Sequence, residues 1–74
     1  MVQNNYKEIL MKIGLNFRVE RTKQKLSQEK FAEIANVHMN YIGKVERGEQ
    51  NLTVKKLVEL SNALQISVNE ILNI

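Results

Sequence analysis

Apolar residues recur in this chain at intervals of three and four, and no proline interrupts them. Ile9, Ile13 and Phe17 form one such stripe along a single helix face. The chain holds three glycines among 74 residues, so few positions favour a break in a helix. The sequence therefore predicts an all-α fold, a compact domain of five helices that occupies residues 1–74.

Polar residues that cap helices stand just before four of the predicted helices. Asn5, Ser27, Thr53 and Ser67 each carry a side-chain oxygen that can accept a free backbone N–H of a first helical turn. Glu70 follows Ser67 by three residues, which is the spacing of a capping box. These residues predict where the first, second, fourth and fifth helices begin.

The stretch Ser27–Gly48 predicts two short helices, the second and third, joined by a tight turn. Asn36 suits that turn because asparagine tolerates positive φ better than most residues. The third helix begins at His38 or Met39, and Gly48 ends it in the left-handed conformation. Two short helices in this arrangement form a helix-turn-helix motif.

Composition excludes several function classes. The chain has no cysteine, no aspartate and one histidine, so it offers no disulfide, no thiolate or multi-histidine metal site and no evident acid–base pair. We therefore expect no enzyme activity, no metal, no cofactor and no small-molecule ligand. No signal peptide or membrane-spanning apolar run is visible, so we expect a cytoplasmic protein without a membrane partner.

Positive charge is concentrated in the first three quarters of the chain. Residues 1–56 carry a net charge of +5, whereas residues 57–74 carry −2. A basic surface favours an anionic partner such as nucleic acid. The alternative is that these lysines are ordinary solvated side chains. The four aromatic residues do not form a stacking platform of the kind that binds RNA.

Matching positions spread over residues 13–72, among them Leu26-Ser27-Gln28-Glu29 and Glu46-Arg47-Gly48, make the chain resemble the phage repressor and Cro type of helix-turn-helix domain. The run Val45-Glu46-Arg47-Gly48 followed by Asn51-Leu52-Thr53, together with the short length, more narrowly resembles the controller proteins of restriction-modification systems. Asn36 replaces the usual turn glycine, and Asn51-Leu52-Thr53 stands where many members have a proline. The matching positions are Ile13-Gly14, Phe17-Arg18, Arg21, Leu26-Ser27-Gln28-Glu29, Phe31-Ala32, Val37, Ile42, Glu46-Arg47-Gly48, Leu57, Leu60, Ala63-Leu64, Ile66 and Leu72.

The resemblance implies that the third helix reads base edges in the major groove of double-stranded DNA. Its candidate base-reading residues are His38, Met39, Asn40, Tyr41 and Lys44. The Asn40 amide suits adenine, and Lys44 can donate to guanine. Alternatives remain: Met39 and Tyr41 as partly buried packing residues, His38 as a helix cap or phosphate donor, and Lys44 as a solvated side chain.

Phosphate contacts are expected on both sides of that helix. Gln28 begins the second helix, where backbone amides and the helix dipole favour an anion. The other candidates border the far end of the third helix and are Arg47, Gln50, Asn51 and Thr53. The resemblance also implies a structural ion pair between Arg21 and Glu46.

The C-terminal segment is predicted to form a homodimer interface. It offers more branched apolar side chains than a short helix buries, and exposed apolar patches usually mark interfaces. The candidates are Ile66, Val68, Ile71, Leu72 and Ile74. The resemblance implies a transcriptional regulator that binds a two-fold symmetric operator. The alternative is an antitoxin-like module that keeps this fold and mainly binds another protein.

Overall fold

The computed structural model describes residues 2–74, and within them all regular secondary structure is helical, as predicted. None of these helices is both long enough and apolar enough to cross a bilayer. The five helices are α1 (Tyr6–Lys23), α2 (Gln28–Ala35), α3 (Met39–Glu46), α4 (Val54–Ala63) and α5 (Val68–Ile71).

Every helix begins with a side-chain cap. Asn5, Ser27, Thr53 and Ser67 each accept a backbone N–H from the first turn of the helix that follows, at 3.0 Å. The Nδ1 atom of His38 does the same for α3, accepting a backbone N–H at 3.1 Å. The four caps predicted from the sequence are therefore confirmed.

Helices α1 to α4 all end in the same way. Within two residues of each helix end, one residue has a left-handed backbone, with φ of 58° at Lys25, 57° at Asn36, 73° at Gly48 and 56° at Gln65. The N–H of the next residue then bonds a carbonyl five residues earlier, at 2.9–3.1 Å, which is the Schellman pattern. The conformations of Asn36 and Gly48 were predicted; those of Lys25 and Gln65 were not.

One apolar core joins the five helices. Phe17 and Phe31 lie at its centre, fully buried, with ring centroids 6.2 Å apart. Ser61 is also fully buried, and its hydroxyl donates to the Leu57 carbonyl oxygen at 2.8 Å. The buried apolar residues are Ile13, Phe17, Phe31, Ala32, Ile42, Val45, Leu57, Leu60, Leu64 and Ile71.

Ile71 belongs to this core and not to an exposed patch. Helix α5 packs against α1 and α4, which leaves the Ile71 side chain fully buried. The Asn16 side chain fixes this arrangement by donating to the Ile71 carbonyl oxygen at 2.8 Å. The prediction that Ile71 contributes to an exposed dimer surface was therefore wrong.

Helices α1 and α3 touch at Gly14 with no room between their backbones. A Cβ atom at Gly14 would collide with the Val45 carbonyl oxygen and would lie 2.8 Å from that of Glu46. Because the obstacles are backbone atoms, no side-chain movement can relieve the contact. Glycine at this position lets α3 lie directly against α1.

Candidate nucleic-acid interface

Helix α3 has one buried face and one open face. Ile42, Val45 and Glu46 face the interior, whereas Asn40 and Lys44 are exposed and Met39 is 43% exposed. The open face meets the beginning of α2 across a shallow groove. The groove is lined by Gln28, Met39, Asn40, Gly43, Lys44 and Arg47. Five of these residues were predicted to contact DNA, and Gly43 is the sixth.

His38 lies at the start of α3 and is itself exposed. Its Nδ1 accepts the Asn40 backbone N–H at 3.1 Å, so the ring acts as the helix cap. The Nε2 side of the ring remains available to a phosphate or a base. The capping role that sequence analysis gave as an alternative is thus present in the geometry.

Tyr41 occupies a different environment from its neighbours on α3. Its ring is half-buried against the core, and the Lys56 ammonium nitrogen lies 5.8 Å from the ring centroid. Burial raises the pKa of the Tyr41 phenol above its usual 10.0, while Lys56 lowers it and Glu59 raises it. Lys56 also pairs with Glu59 at 3.1 Å. The geometry supports the alternative given for Tyr41, a partly buried packing residue.

Arg21 and Glu46 form a buried ion pair beneath the groove. The Arg21 Nε and Nη2 atoms donate to the two Glu46 carboxylate oxygens at 2.7 and 3.0 Å. The Gln28 side-chain amide donates to the same carboxylate at 3.0 Å. The Glu46 carboxylate, at the end of α3, therefore also holds the side chain of Gln28, which was predicted to bind phosphate.

The loop between α3 and α4 carries the other predicted phosphate ligands. Gln50 is half-buried, and its amide donates to the Asn51 carbonyl oxygen at 3.3 Å. Asn51 and Thr53 are exposed, and the Thr53 oxygen caps α4 by accepting the Lys56 backbone N–H. These three residues follow the C-terminal end of α3 in the chain, and their contact with phosphate stays a prediction.

Arg47 follows α3 directly, but its side chain turns back along that helix. A Cβ atom at Gly43 would lie 3.1 Å from Arg47 Nη1. The guanidinium thus covers the Gly43 backbone and lines the same groove as Asn40 and Lys44. The relevant sequence signal is the four-residue spacing of Gly43 and Arg47, which places both on one helix face.

The predicted dimer residues fall into three environments. Ile66 and Val68 are half-buried and pack against the core, and Ile71 lies inside it. Leu72 and Ile74 are exposed by 42% and 54%. The apolar surface at this end of residues 2–74 therefore centres on Leu72 and Ile74. No cluster of three potential metal-ligating side chains occurs in the same range.

Residues 17–71 match the profile of the helix-turn-helix family, and this span includes α2, α3 and the turn between them. The chain is a member of the helix-turn-helix family. Its fold is also that of solved helix-turn-helix proteins. The controller protein C.AhdI from Aeromonas hydrophila superimposes with a TM-score of 0.80 at 37% identity, over 84% of this chain and 94% of that protein.

Restriction-modification controllers recur among the helix-turn-helix proteins that this chain resembles. Control protein C.SmaI of Serratia marcescens is 47% identical over 66 residues, which span 89% of this chain and 75% of that protein. Controller protein C.Esp1396I, solved as a tetramer with its natural 35-base-pair operator, superimposes with a TM-score of 0.76 at 29% identity. That match covers 86% of this chain and 95% of C.Esp1396I. The narrower resemblance to controller proteins, inferred from the sequence, is thereby confirmed.

Proposed function

We propose that this chain is a sequence-specific transcription regulator that inserts α3 into the major groove of double-stranded DNA. The open face of α3 carries the proposal, because Asn40 and Lys44 project from a helix whose opposite face is anchored in the core. An amide and an ammonium group suit adenine and guanine edges, respectively. The likeness to controller proteins, one of which was solved with its operator, supports the same interpretation.

The proposed phosphate contacts flank α3. Gln28 begins α2, which precedes α3 in the chain, and Gln50, Asn51 and Thr53 lie in the segment that follows α3. Contacts on both sides hold a reading helix in register without reading sequence. Residues 1–56 carry the net positive charge that attracts the duplex.

The active species is proposed to be a homodimer on a two-fold symmetric operator. Leu72 and Ile74 present exposed apolar surface at the acidic end of the chain, away from the basic α3 face in sequence. A two-fold interface uses the same patch twice, and paired reading helices reach half-sites about 34 Å apart. We propose no catalytic role for the dimer, and we propose that it acts in the cytoplasm.

Selection from a randomised duplex library at moderate salt, followed by gel shifts with excess random competitor, tests this function. We expect an enriched palindromic sequence and a competitor-resistant complex. Failure to enrich any sequence would overturn the proposal and favour the antitoxin-like alternative. A controller role predicts that the enriched site occurs upstream of the chain's own gene and beside genes for a methyltransferase and an endonuclease.

A further inference from the structure

Arg47 follows the last residue of α3, but its side chain reaches back onto the open face of that helix. Gly43 precedes it by four positions, and Arg47 Nη1 lies 3.1 Å from where a Gly43 Cβ would be, with Cζ and Nη2 at 3.9 Å. The guanidinium thus lies over Gly43 and lines the groove together with Asn40 and Lys44.

Glu49 holds one edge of that guanidinium. Its carboxylate accepts the Arg47 Nε–H at 3.1 Å. Within residues 2–74, the terminal Nη1 and Nη2 groups have no hydrogen-bond partner, and the Arg47 side chain is 58% exposed. One edge is therefore fixed, while the two donors of the outer fork remain free.

A free, oriented fork of two N–H donors matches the O6 and N7 acceptors of guanine. The same fork also fits a phosphate, so the location of the guanidinium carries the argument. It lines the groove together with Asn40 and Lys44, which are proposed to read bases. We infer that Arg47 reads a guanine in the operator, with Gly43 providing the bare helix surface and Glu49 acting as a positioning residue. The inference rests on the proposed DNA-binding function and replaces the phosphate role predicted for Arg47 from sequence.

Substitution of Gly43 by alanine separates this role from a structural one. The added methyl group meets only the end of a flexible side chain, so the Arg47 guanidinium is displaced while the backbone stays in place. Alanine also favours a helix interior over glycine. Gly43→Ala should therefore raise the melting temperature and at the same time weaken discrimination at one base pair.

The experiment uses the sequence enriched by the full chain and compares Arg47→Lys with Arg18→Lys, a matched change at an exposed arginine on α1. Arg47→Lys should lower affinity for the enriched site by about tenfold or more and leave affinity for random DNA nearly unchanged. Glu49→Ala should show a smaller loss of the same kind, and Glu49→Gln, which keeps an acceptor, should restore part of it. Arg18→Lys should change neither affinity.

Single 7-deazaguanine substitutions then locate the contact, because they remove the N7 acceptor. One guanine in each half-site should matter to the parent and not to Arg47→Lys. If the parent enriches a sequence but Arg47→Lys selects the same bases with equal discrimination, the inference is overturned while the proposed function stands. If no sequence is enriched at all, the proposed function itself fails.

Discussion

The Arg21 guanidinium donates two hydrogen bonds to the Glu46 carboxylate and a third to the Leu26 carbonyl oxygen, at 2.7–3.0 Å. This pair ties the end of α1 to the end of α3, and both residues are only 9% exposed. Removing one member of a buried pair leaves the other charge uncompensated. Arg21→Ala should therefore lower the free energy of unfolding by about 3–5 kcal/mol, as measured by chemical denaturation.

The double variant Arg21→Met, Glu46→Leu is the control for this ion pair. Because it buries no unpaired charge, it should be more stable than Arg21→Ala. If Arg21→Ala unfolds like the parent and loses only DNA affinity, Arg21 faces phosphate and the pair does not stabilise the fold.

Asn40→Ala should weaken binding to the enriched operator by about 1–3 kcal/mol per half-site and leave binding to random DNA nearly unchanged. The reason is that the Asn40 amide is exposed on the open face of α3 and can pair with a base edge. Fluorescence anisotropy on both duplexes measures the difference. Asn62→Ala, the same change at an exposed position of α4, should alter neither affinity. Equal losses on operator and random DNA would contradict base reading.

Lys25→Gly should stabilise the fold by about 0.5–1 kcal/mol, because Lys25 has a φ of 58° that glycine adopts without steric cost. Lys23→Gly, two residues earlier inside α1, should destabilise by a similar amount. Thermal melting should show a higher melting temperature for Lys25→Gly and a lower one for Lys23→Gly than for the parent. A loss of stability in both would contradict the left-handed cap.

High pH should destabilise the protein through Tyr41. Because burial raises the folded-state pKa of this phenol, the unfolded chain releases its proton at a lower pH than the folded chain. The contribution of Tyr41 to stability is therefore intact below about pH 10 and falls as pH rises through the folded-state pKa. Denaturation curves from about pH 8 to about pH 11 should show a smaller decline for Tyr41→Phe than for the parent.

The control for Tyr41 is a Tyr6→Phe background, in which Tyr41 is the remaining tyrosine. Ultraviolet titration of that variant should then report the Tyr41 phenolate directly. A midpoint at or below the ordinary value would contradict burial of the ring against the core.

Leu72→Glu should convert a dimer into a folded monomer, since it places a charge in the exposed apolar surface at the C-terminal end. Sedimentation velocity together with circular dichroism separates loss of association from loss of folding. Leu15→Glu, at a similarly exposed leucine on α1, is the matched control and should leave the dimer intact. A parent chain that stays monomeric at tens of micromolar, free or on a half-site, would contradict the homodimer.

Local signals predicted the starts of helices better than their ends. Ser27 and Thr53 cap as expected, because capping needs only a suitable side chain at the right position. Lys25 and Gln65 have no intrinsic preference for positive φ, and the Schellman bonds of Leu26 and Ile66 impose it. The recognisable signal at both ends is the apolar residue that follows the left-handed one and packs against the core.

The family resemblance, combined with helical spacing, predicted Asn40 and Lys44 on the open face of α3. The environments of Ile71 and Arg47 were not predicted. That of Ile71 depends on how α5 packs against α1 and α4, and that of Arg47 depends on a side-chain torsion over Gly43. Both depend on tertiary packing, which the spacing of residues along the sequence does not determine.

The backbone contact at Gly14 holds α3 directly against α1. Because α3 packs against α1 with no side chain between them, the free protein already holds α3 in the orientation in which we propose that it enters the DNA major groove. Association with different operators should then proceed at similar rates, since little backbone ordering accompanies the encounter. Differences in affinity between operators should therefore lie mainly in the dissociation rates of the complexes.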